Sequence, residues 1–134
     1  MRENIIEKNN DTGALWAAVL AILPDKSLSR KCPWEKFKGS DWGRLLEKQP
    51  QFADSCNWNL LRGGDWASLL REHPEFSDRC PWHQLHDYDW GNLLSRRPEY
   101  AKHCRWTKLD FRNWIMLLEK QPQFVQECIR YGLQ

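Results

Sequence analysis

Apolar and polar positions along the chain repeat with a fixed period of 24 residues. Cysteines mark the period, at Cys32, Cys56, Cys80, Cys104 and Cys128. Each period then carries two tryptophans, a Leu-Leu pair, a proline and an aromatic residue in constant order, which in the first period are Trp34, Trp42, Leu45, Leu46, Pro50 and Phe52. A constant period of this length is the sequence signature of a tandem-repeat array.

The pattern within one repeat predicts short helices. Asp41 is a favourable N-cap, and the Trp and two Leu residues that follow it have the i, i+3, i+4 spacing of an amphipathic helix. This helix is expected to end before Pro50, which suits the first turn of a second short helix. The spacing of Trp34 and Phe37 predicts a further turn, followed by a loop at residues 38–40 and its equivalents in the later repeats. Helices this short are stable only when neighbouring repeats bury them.

The segment before the first full repeat resembles part of a repeat. Trp16, Val19, Leu20 and Pro24 reproduce the spacing of the helix that leads to Pro50. The apolar run at residues 14–23 is too short to cross a bilayer, which takes about 20 residues. The acidic residues that precede it disfavour a signal peptide. We therefore predict a degenerate terminal repeat that caps the array.

The predicted fold class is all-α, a short α-solenoid of four 24-residue repeats with two short helices and a turn each. Residues 1–31 would form the N-terminal capping half-repeat, residues 32–127 the four repeats and residues 128–134 a C-terminal tail. In the last repeat Ile115 and Met116 replace small or polar residues. They would either expose an apolar patch or pack against the tail.

Composition narrows the class of protein. Aromatic residues make up 13% of the chain, with 9 tryptophans, which excludes a disordered chain. The net charge of +2, from 20 basic and 18 acidic residues, demands neither a polyanion nor an acidic partner. The tryptophans could form sugar-stacking platforms if exposed. Their spacing from Leu, Phe and Cys favours a core position instead.

The five cysteines do not suggest a disulfide framework. Equivalent positions in neighbouring repeats should lie on the order of 10 Å apart, like packed helices, whereas a disulfide requires Cα atoms within about 7 Å. The odd count and the absence of a Cys-x-x-Cys pair agree with this interpretation. We expect small buried residues in a reducing, cytoplasmic setting.

The pattern Cys-x-Trp-x-x-Leu-x-x-x-Asp-Trp-x-x-Leu-Leu-x-x-x-Pro-x-Phe resembles Trp-rich 24-residue tandem repeats of bacterial proteins without established activity. The octapeptide Leu-Leu-Glu-Lys-Gln-Pro-Gln-Phe, at residues 45–52 and again at 117–124, is especially similar. The resemblance covers about three quarters of the chain. It implies a repeat fold and a bacterial or phage setting, and no activity or functional residue.

No constellation in the sequence indicates catalysis. A nucleophile with a base, paired carboxylates and a phosphate-binding glycine loop are all missing, so we predict no enzyme, no catalytic residues and no cofactor. His83 and His86, with His103, could share a face, but no further ligand accompanies them, and a zinc site needs three or four. We therefore predict no metal site, with this histidine group left open.

The remaining prediction is a surface that varies on a constant core, as in solenoids that bind proteins. We predict a monomeric, non-enzymatic protein-binding module without membrane contact, acting as a stand-alone adaptor or stoichiometric inhibitor. The candidate partner-binding residues are the loop residues Arg62, His86, Tyr88, Phe111 and Arg112 and the helix-face residues Arg44, Asn92, Arg96 and Met116. The alternative is a nucleic-acid-binding helical repeat, which the lack of a periodic basic ladder disfavours.

Overall fold

The computed structural model describes residues 11–133, and these residues contain helices and turns but no β-strand, so the predicted all-α repeat fold is confirmed. The α-helices are α1 Thr12–Ile22, α2 Lys26–Arg30, α3 Gly39–Lys48, α4 Gly63–Glu72, α5 Asp87–Arg96 and α6 Phe111–Lys120. Between them lie short 3₁₀ helices at Trp34–Lys36, Pro50–Ser55, Trp58–Leu60, Pro74–Arg79, Trp82–Gln84, Pro98–His103, Trp106–Lys108 and Pro122–Phe124.

The chain divides into two compact units, Met1–Leu61 and Arg62–Gln134. In the first unit α1 packs against α3. In the second unit α4 packs against α5, and α5 packs against α6. Within each unit, therefore, each long helix contacts the long helix of the next repeat, which is the packing expected of a solenoid.

The N-terminal helix α1 packs against the array on one side only. Ala17 and Leu20 are fully buried, and Trp16 is half-buried. Val19 is 37% exposed, whereas its predicted equivalent Leu45 is fully buried. The side chains at the exposed face of this helix are apolar, namely Leu15, Val19, Ile22 and Leu23. In α1 the second apolar position, Leu20, is therefore buried as in the repeats, whereas Trp16 and Val19 are more exposed than their equivalents Trp42 and Leu45.

The long helices begin three residues earlier than the sequence pattern predicts. Asp41 is the third residue of α3 and not its N-cap, because the helix starts at Gly39. Its carboxylate oxygen Oδ2 accepts a 2.9 Å hydrogen bond from the backbone N–H of Lys38. The equivalent bonds to Asp65 and Asp89 in α4 and α5 are also 2.9 Å long. A carboxylate at this position lies near the positive end of the helix and satisfies a free backbone donor.

Helix α6 reverses this arrangement. Asn113 stands where the other repeats have Asp, and the N-cap is Asp110. The Oδ1 atom of Asp110 accepts hydrogen bonds from the backbone N–H of Asn113 at 2.9 Å and from its side-chain Nδ2 at 2.8 Å. In α6 the third helical residue donates and the N-cap side chain accepts, which is the opposite of α3. The helix still begins at the same position of the repeat.

The proline after each long helix behaves as predicted. Helix α3 ends at Lys48, and Pro50 is the first residue of the 3₁₀ helix Pro50–Ser55. The second helix of the repeat is therefore 3₁₀ rather than α-helical. A long polar side chain just before the proline reaches back to the preceding repeat: in the first unit, Gln49 Nε2 donates a 2.8 Å hydrogen bond to the carbonyl oxygen of Ala21. In the second unit, Arg97 Nε and Gln121 Nε2 make equivalent bonds to Arg71 and Ser95.

The core of a repeat is a set of three aromatic rings. The helix tryptophans Trp42, Trp66, Trp90 and Trp114 are at most 3% exposed. In the first repeat the half-buried Trp34 stacks on Trp42 with centroids 5.0 Å apart and an interplanar angle of 14°, and Phe52 lies 5.8 Å from Trp34. The third and fourth repeats repeat this stack at 5.6 and 5.4 Å. The predicted core position is confirmed for the four helix tryptophans. The other repeat tryptophans, Trp34, Trp58, Trp82 and Trp106, are half-buried.

Small residues allow the long helices to approach each other closely. A Cβ added to Gly91 of α5 would lie 2.6 Å from Asn113 Oδ1 and 2.9 Å from Met116 Cε of α6. A Cβ added to Gly63 of α4 would meet the Asp89 carboxylate and lie 3.0 Å from the carbonyl oxygen of Gln84. No glycine among the described residues has a positive φ, so these positions require small size and not an unusual backbone.

The last helix differs at these positions. Phe111 and Ile115 of α6 stand where α4 has Gly63 and Ala67, and they are 69% and 55% exposed. Ile115 therefore belongs to an exposed apolar patch, which decides the alternative left open by the sequence. Residues 125–127 continue as a short helix and Cys128–Gly132 as a π-helical turn. There Gly132 lies against the indole of Trp114.

The packing at Gly63 gives a test with a neighbouring control. We expect Gly63→Ala to lower the free energy of unfolding by about 1–3 kcal/mol, because the new methyl group displaces Asp89 or the Gln84 backbone. Gly64→Ala should be neutral or stabilising by up to about 1 kcal/mol, since its Cβ would meet nothing closer than 3.7 Å. Urea unfolding followed by tryptophan fluorescence measures both. Equal effects of the two variants would contradict the close-packing assignment.

Candidate functional site

Exposed side chains of the second unit carry most of the predicted partner-binding set. Arg44 lies in the first unit and is exposed. Met116 is half-buried, and the other predicted residues are exposed, namely Arg62, His86, Tyr88, Asn92, Arg96, Phe111 and Arg112. The predicted exposure is thus met at every position except Met116.

The residues predicted as loop residues occupy helix N-termini instead. Arg62 and His86 are the N-cap residues of α4 and α5. Tyr88 lies in the first turn of α5, and Phe111 and Arg112 are the first two residues of α6. These residues lie at helix starts because the Asp or Asn that the sequence predicts as N-cap is the third residue of its helix. Each helix therefore begins within the segment predicted to be a loop. We call these residues, Arg62, His86, Tyr88, Phe111 and Arg112, the first-turn set.

Two aromatic rings in the first-turn set are paired with a polar neighbour. The His86 imidazole stacks on Tyr88 with centroids 5.8 Å apart and an interplanar angle of 19°. The guanidinium carbon of Arg112 lies 6.0 Å from the Phe111 ring centroid, a distance at which a cation is attracted to a ring. Tyr88 remains 56% exposed and Phe111 69% exposed. These contacts limit the freedom of both rings without covering them.

Met116 has a packing role that the sequence did not predict. Its methyl end faces the backbone of Gly91, where a Cβ would lie 2.9 Å away. Its position in the repeat is also that of Arg44 and Asn92, which are exposed. Met116 therefore fills space between α5 and α6, and only part of its side chain belongs to the exposed candidate surface.

The His103 imidazole lies flat against Trp82, with ring centroids 4.3 Å apart and an interplanar angle of 8°. This stack lies between two surface cavities of the second unit. One, of about 320 Å³, is lined by residues of both charges, namely Ser77, Asp78, Trp82, Glu99, Tyr100, Lys102 and His103. Desolvation and the nearby Lys102 charge lower the pKa of His103.

The second cavity, of about 190 Å³, has a different lining. It is formed by Trp82, His83, Trp90, His103, Arg105 and Lys108, and we call it the basic groove. Lys108 Nζ donates to the carbonyl oxygens of His83 at 3.2 Å and Leu85 at 3.4 Å. Sequence reasoning missed Arg105 and Lys108. An alignment of the repeats could have identified them, because no other repeat combines basic or imidazole side chains at these positions.

The histidines do not form a metal centre together. His83 and His103 line the basic groove, whereas His86 stacks on Tyr88. Among residues 11–133 no group of three or more His, Cys, Asp or Glu side chains has an arrangement that could hold a metal ion.

All five cysteines are reduced thiols, and their surroundings make Cys32, Cys80 and Cys104 unreactive. Burial raises the pKa of Cys80 and of Cys104 to about 12. Burial, with a smaller contribution from Glu35, raises the pKa of Cys32 to about 11. Since the thiolate is the nucleophile and the metal ligand, these groups are suited to packing rather than to redox or covalent chemistry.

Comparisons with protein-family models, with curated proteins and with solved structures give no match to this chain. In the part of the chain that the structure describes, no helix has both the length and the apolar character needed to cross a membrane. The class that the fold defines is therefore an all-α, Trp-rich repeat protein, and the assignment of function depends on its own surface.

The raised thiol pKa values predict slow alkylation of the native protein. At pH 8 the thiolate fraction of Cys80 and Cys104 should be about 1000-fold lower than that of a thiol with the ordinary pKa of 9.0. Treatment with iodoacetamide, followed by mass spectrometry of each cysteine, should show both residues protected. In urea all five cysteines should react. Rapid modification of Cys80 or Cys104 in the folded protein would contradict the buried, inert assignment.

Proposed function

We propose that the protein is a non-enzymatic protein-binding module that acts as an adaptor or stoichiometric inhibitor of a larger protein. The observation that carries this proposal is the exposure of Tyr88 and Phe111 at successive helix N-termini. Large aromatic side chains, together with arginine, are the residues that most often dominate the energy of protein interfaces.

The position of these aromatic residues in the repeat supports the proposal. Tyr88 stands where the two earlier repeats have Ser40 and Gly64, and Phe111 where they have Gly39 and Gly63. The fold is thus compatible with small residues at both positions. More than half of each side chain is exposed, so a role outside the fold accounts for these rings better than a role in stability.

The contacts of the two rings also suit binding. His86 and Arg112 hold the rings of Tyr88 and Phe111 by stacking and by a cation–π contact. A side chain that is already restricted loses less conformational entropy when a partner covers it. Arg62 and Arg112 supply charge beside the aromatic surface, as in the polar rim of a typical interface.

The non-enzymatic part of the proposal is supported by the state of the candidate nucleophiles. The thiols of Cys32, Cys80 and Cys104 have pKa values of about 11 to 12 and are inert near neutral pH. Cysteines present as reduced thiols are also compatible with the reducing cytoplasm, which we propose as the location of the protein. We propose further that it acts as a monomer in a bacterial or phage setting, as the resemblance implies.

The first-turn set gives a direct test. The variant Tyr88→Ala/Phe111→Ala/Arg112→Ala should keep the unfolding midpoint of the parent, because the three side chains are exposed, and should weaken partner binding at least about 100-fold. Partners are first captured from a lysate of the source organism, treated with nuclease, at low and moderate salt. The affinity of the purified partner is then measured by calorimetry for the parent and the variant.

A matched control removes two apolar side chains and one charge from elsewhere in the second unit. Val125→Ala/Ile129→Ala/Lys120→Ala changes residues that are also exposed, and it should bind like the parent. Equal weakening by both variants, or unfolding of the first variant, would contradict the assignment of the site. Recovery of nucleic acid that is lost on adding salt would instead support the alternative of a nucleic-acid-binding repeat.

A further inference from the structure

The basic groove has a lining that differs from every other surface cavity described above. Arg105 and Lys108 contribute permanent positive charge, and His83 and His103 contribute imidazole nitrogens, around the edges of Trp82 and Trp90. No carboxylate lines it. The neighbouring cavity shares Trp82 and His103 but includes Asp78 and Glu99, which would repel an anion.

The positive charge of the groove is not neutralised by the chain itself. Within residues 11–133, none of His83, His103, Arg105 and Lys108 forms an ion pair with a carboxylate. The ammonium of Lys108 is held by two backbone carbonyl oxygens, which fix its position and leave its net charge uncompensated. A charge that is held in place without a counter-ion favours the binding of an anion.

The combination occurs at a single place in the repeat array. We compared the positions of His83, His103, Arg105 and Lys108 with those in the earlier repeats. Two repeats earlier the residues are Glu35, Ser55, Asn57 and Leu60, and one repeat earlier they are Asn59, Arg79, Pro81 and Gln84. The core aromatic residues are the same in these repeats. The basic lining is therefore a local addition to a constant scaffold and not a by-product of the repeat.

We propose that the basic groove binds an oxyanion of the phosphate-monoester class. Such a group carries close to two negative charges near neutral pH and three acceptor oxygens. Arginine is suited to two-pronged hydrogen bonding to these oxygens, and lysine to charge compensation. The two imidazoles add N–H donors. A volume of about 190 Å³ is large enough for a phosphate group.

The test uses the full chain and inorganic phosphate as the first probe, with ionic strength held constant by sodium chloride. A titration followed by ¹H–¹⁵N NMR should give saturable shifts of the indole N–H resonances of Trp82 and Trp90 and of backbone amides 103–108. Arg105→Gln should weaken binding at least about tenfold, because it removes a charged donor from an exposed position without changing the core.

Lys36→Gln provides the matched control. Lys36 is the register equivalent of Lys108 in the first repeat and does not line the basic groove. Its substitution should leave the phosphate affinity unchanged. The proposal is wrong if the parent protein shows no saturable shifts at tens of millimolar phosphate. It is also wrong if Lys36→Gln weakens phosphate binding as much as Arg105→Gln does.

Two further probes distinguish the source of the phosphate group. A peptide containing phosphoserine that binds more tightly than inorganic phosphate, and loses this gain with Arg105→Gln, identifies a phosphorylated protein as the source. Equal affinity of the peptide and of inorganic phosphate assigns the free anion. Tighter binding of the unphosphorylated peptide than of either phosphate probe would overturn the proposal.

Discussion

The structure depends on the close approach of successive long helices. At Gly63 and Gly91 the neighbouring repeat occupies the space that a Cβ would need. That approach places the Asp89 carboxylate against Gly63 while the same carboxylate accepts the His86 N–H. Asp41 and Asp89 are nearly fully buried as a result. A buried carboxylate is tolerated only when it is hydrogen-bonded, so at Asp41 and Asp89 a single side chain serves both helix capping and helix packing.

The aromatic core has a second role beyond stability. Each stacked pair contains one fully buried and one half-buried tryptophan, as in Trp90 and Trp82. The half-buried ring of Trp82 lines both cavities described above. Because the stack is fixed, residues around its outer edge can change without disturbing the fold. The basic groove is such a change, built from residues of two successive repeats.

Sequence reasoning succeeded where the signal was periodic. The 24-residue register, the helices ending before proline and the burial of the helix tryptophans all follow from residue types at fixed spacing. It failed at the helix starts, because an Asp is favourable both as N-cap and as third helical residue. The residues that occupy the true N-cap, such as Lys38 and Arg62, are not typical cappers. The basic groove was also missed, because His83 and Lys108 lie far apart in sequence and meet only when two repeats stack.

The residues of α6 that correspond to Gly63 and Ala67 of α4 change the surface on which another repeat could stack. Repeat proteins lengthen by duplication of a unit, and each new unit needs a small-residue face to stack on. Helices α4 and α5 offer Ala67 and Gly91, whereas α6 offers Phe111 and Ile115. A further repeat placed after α6 would meet Phe111 and Ile115 where α4 presents Gly63 and Ala67 to α5, so α6 lacks the small-residue surface on which α5 stacks.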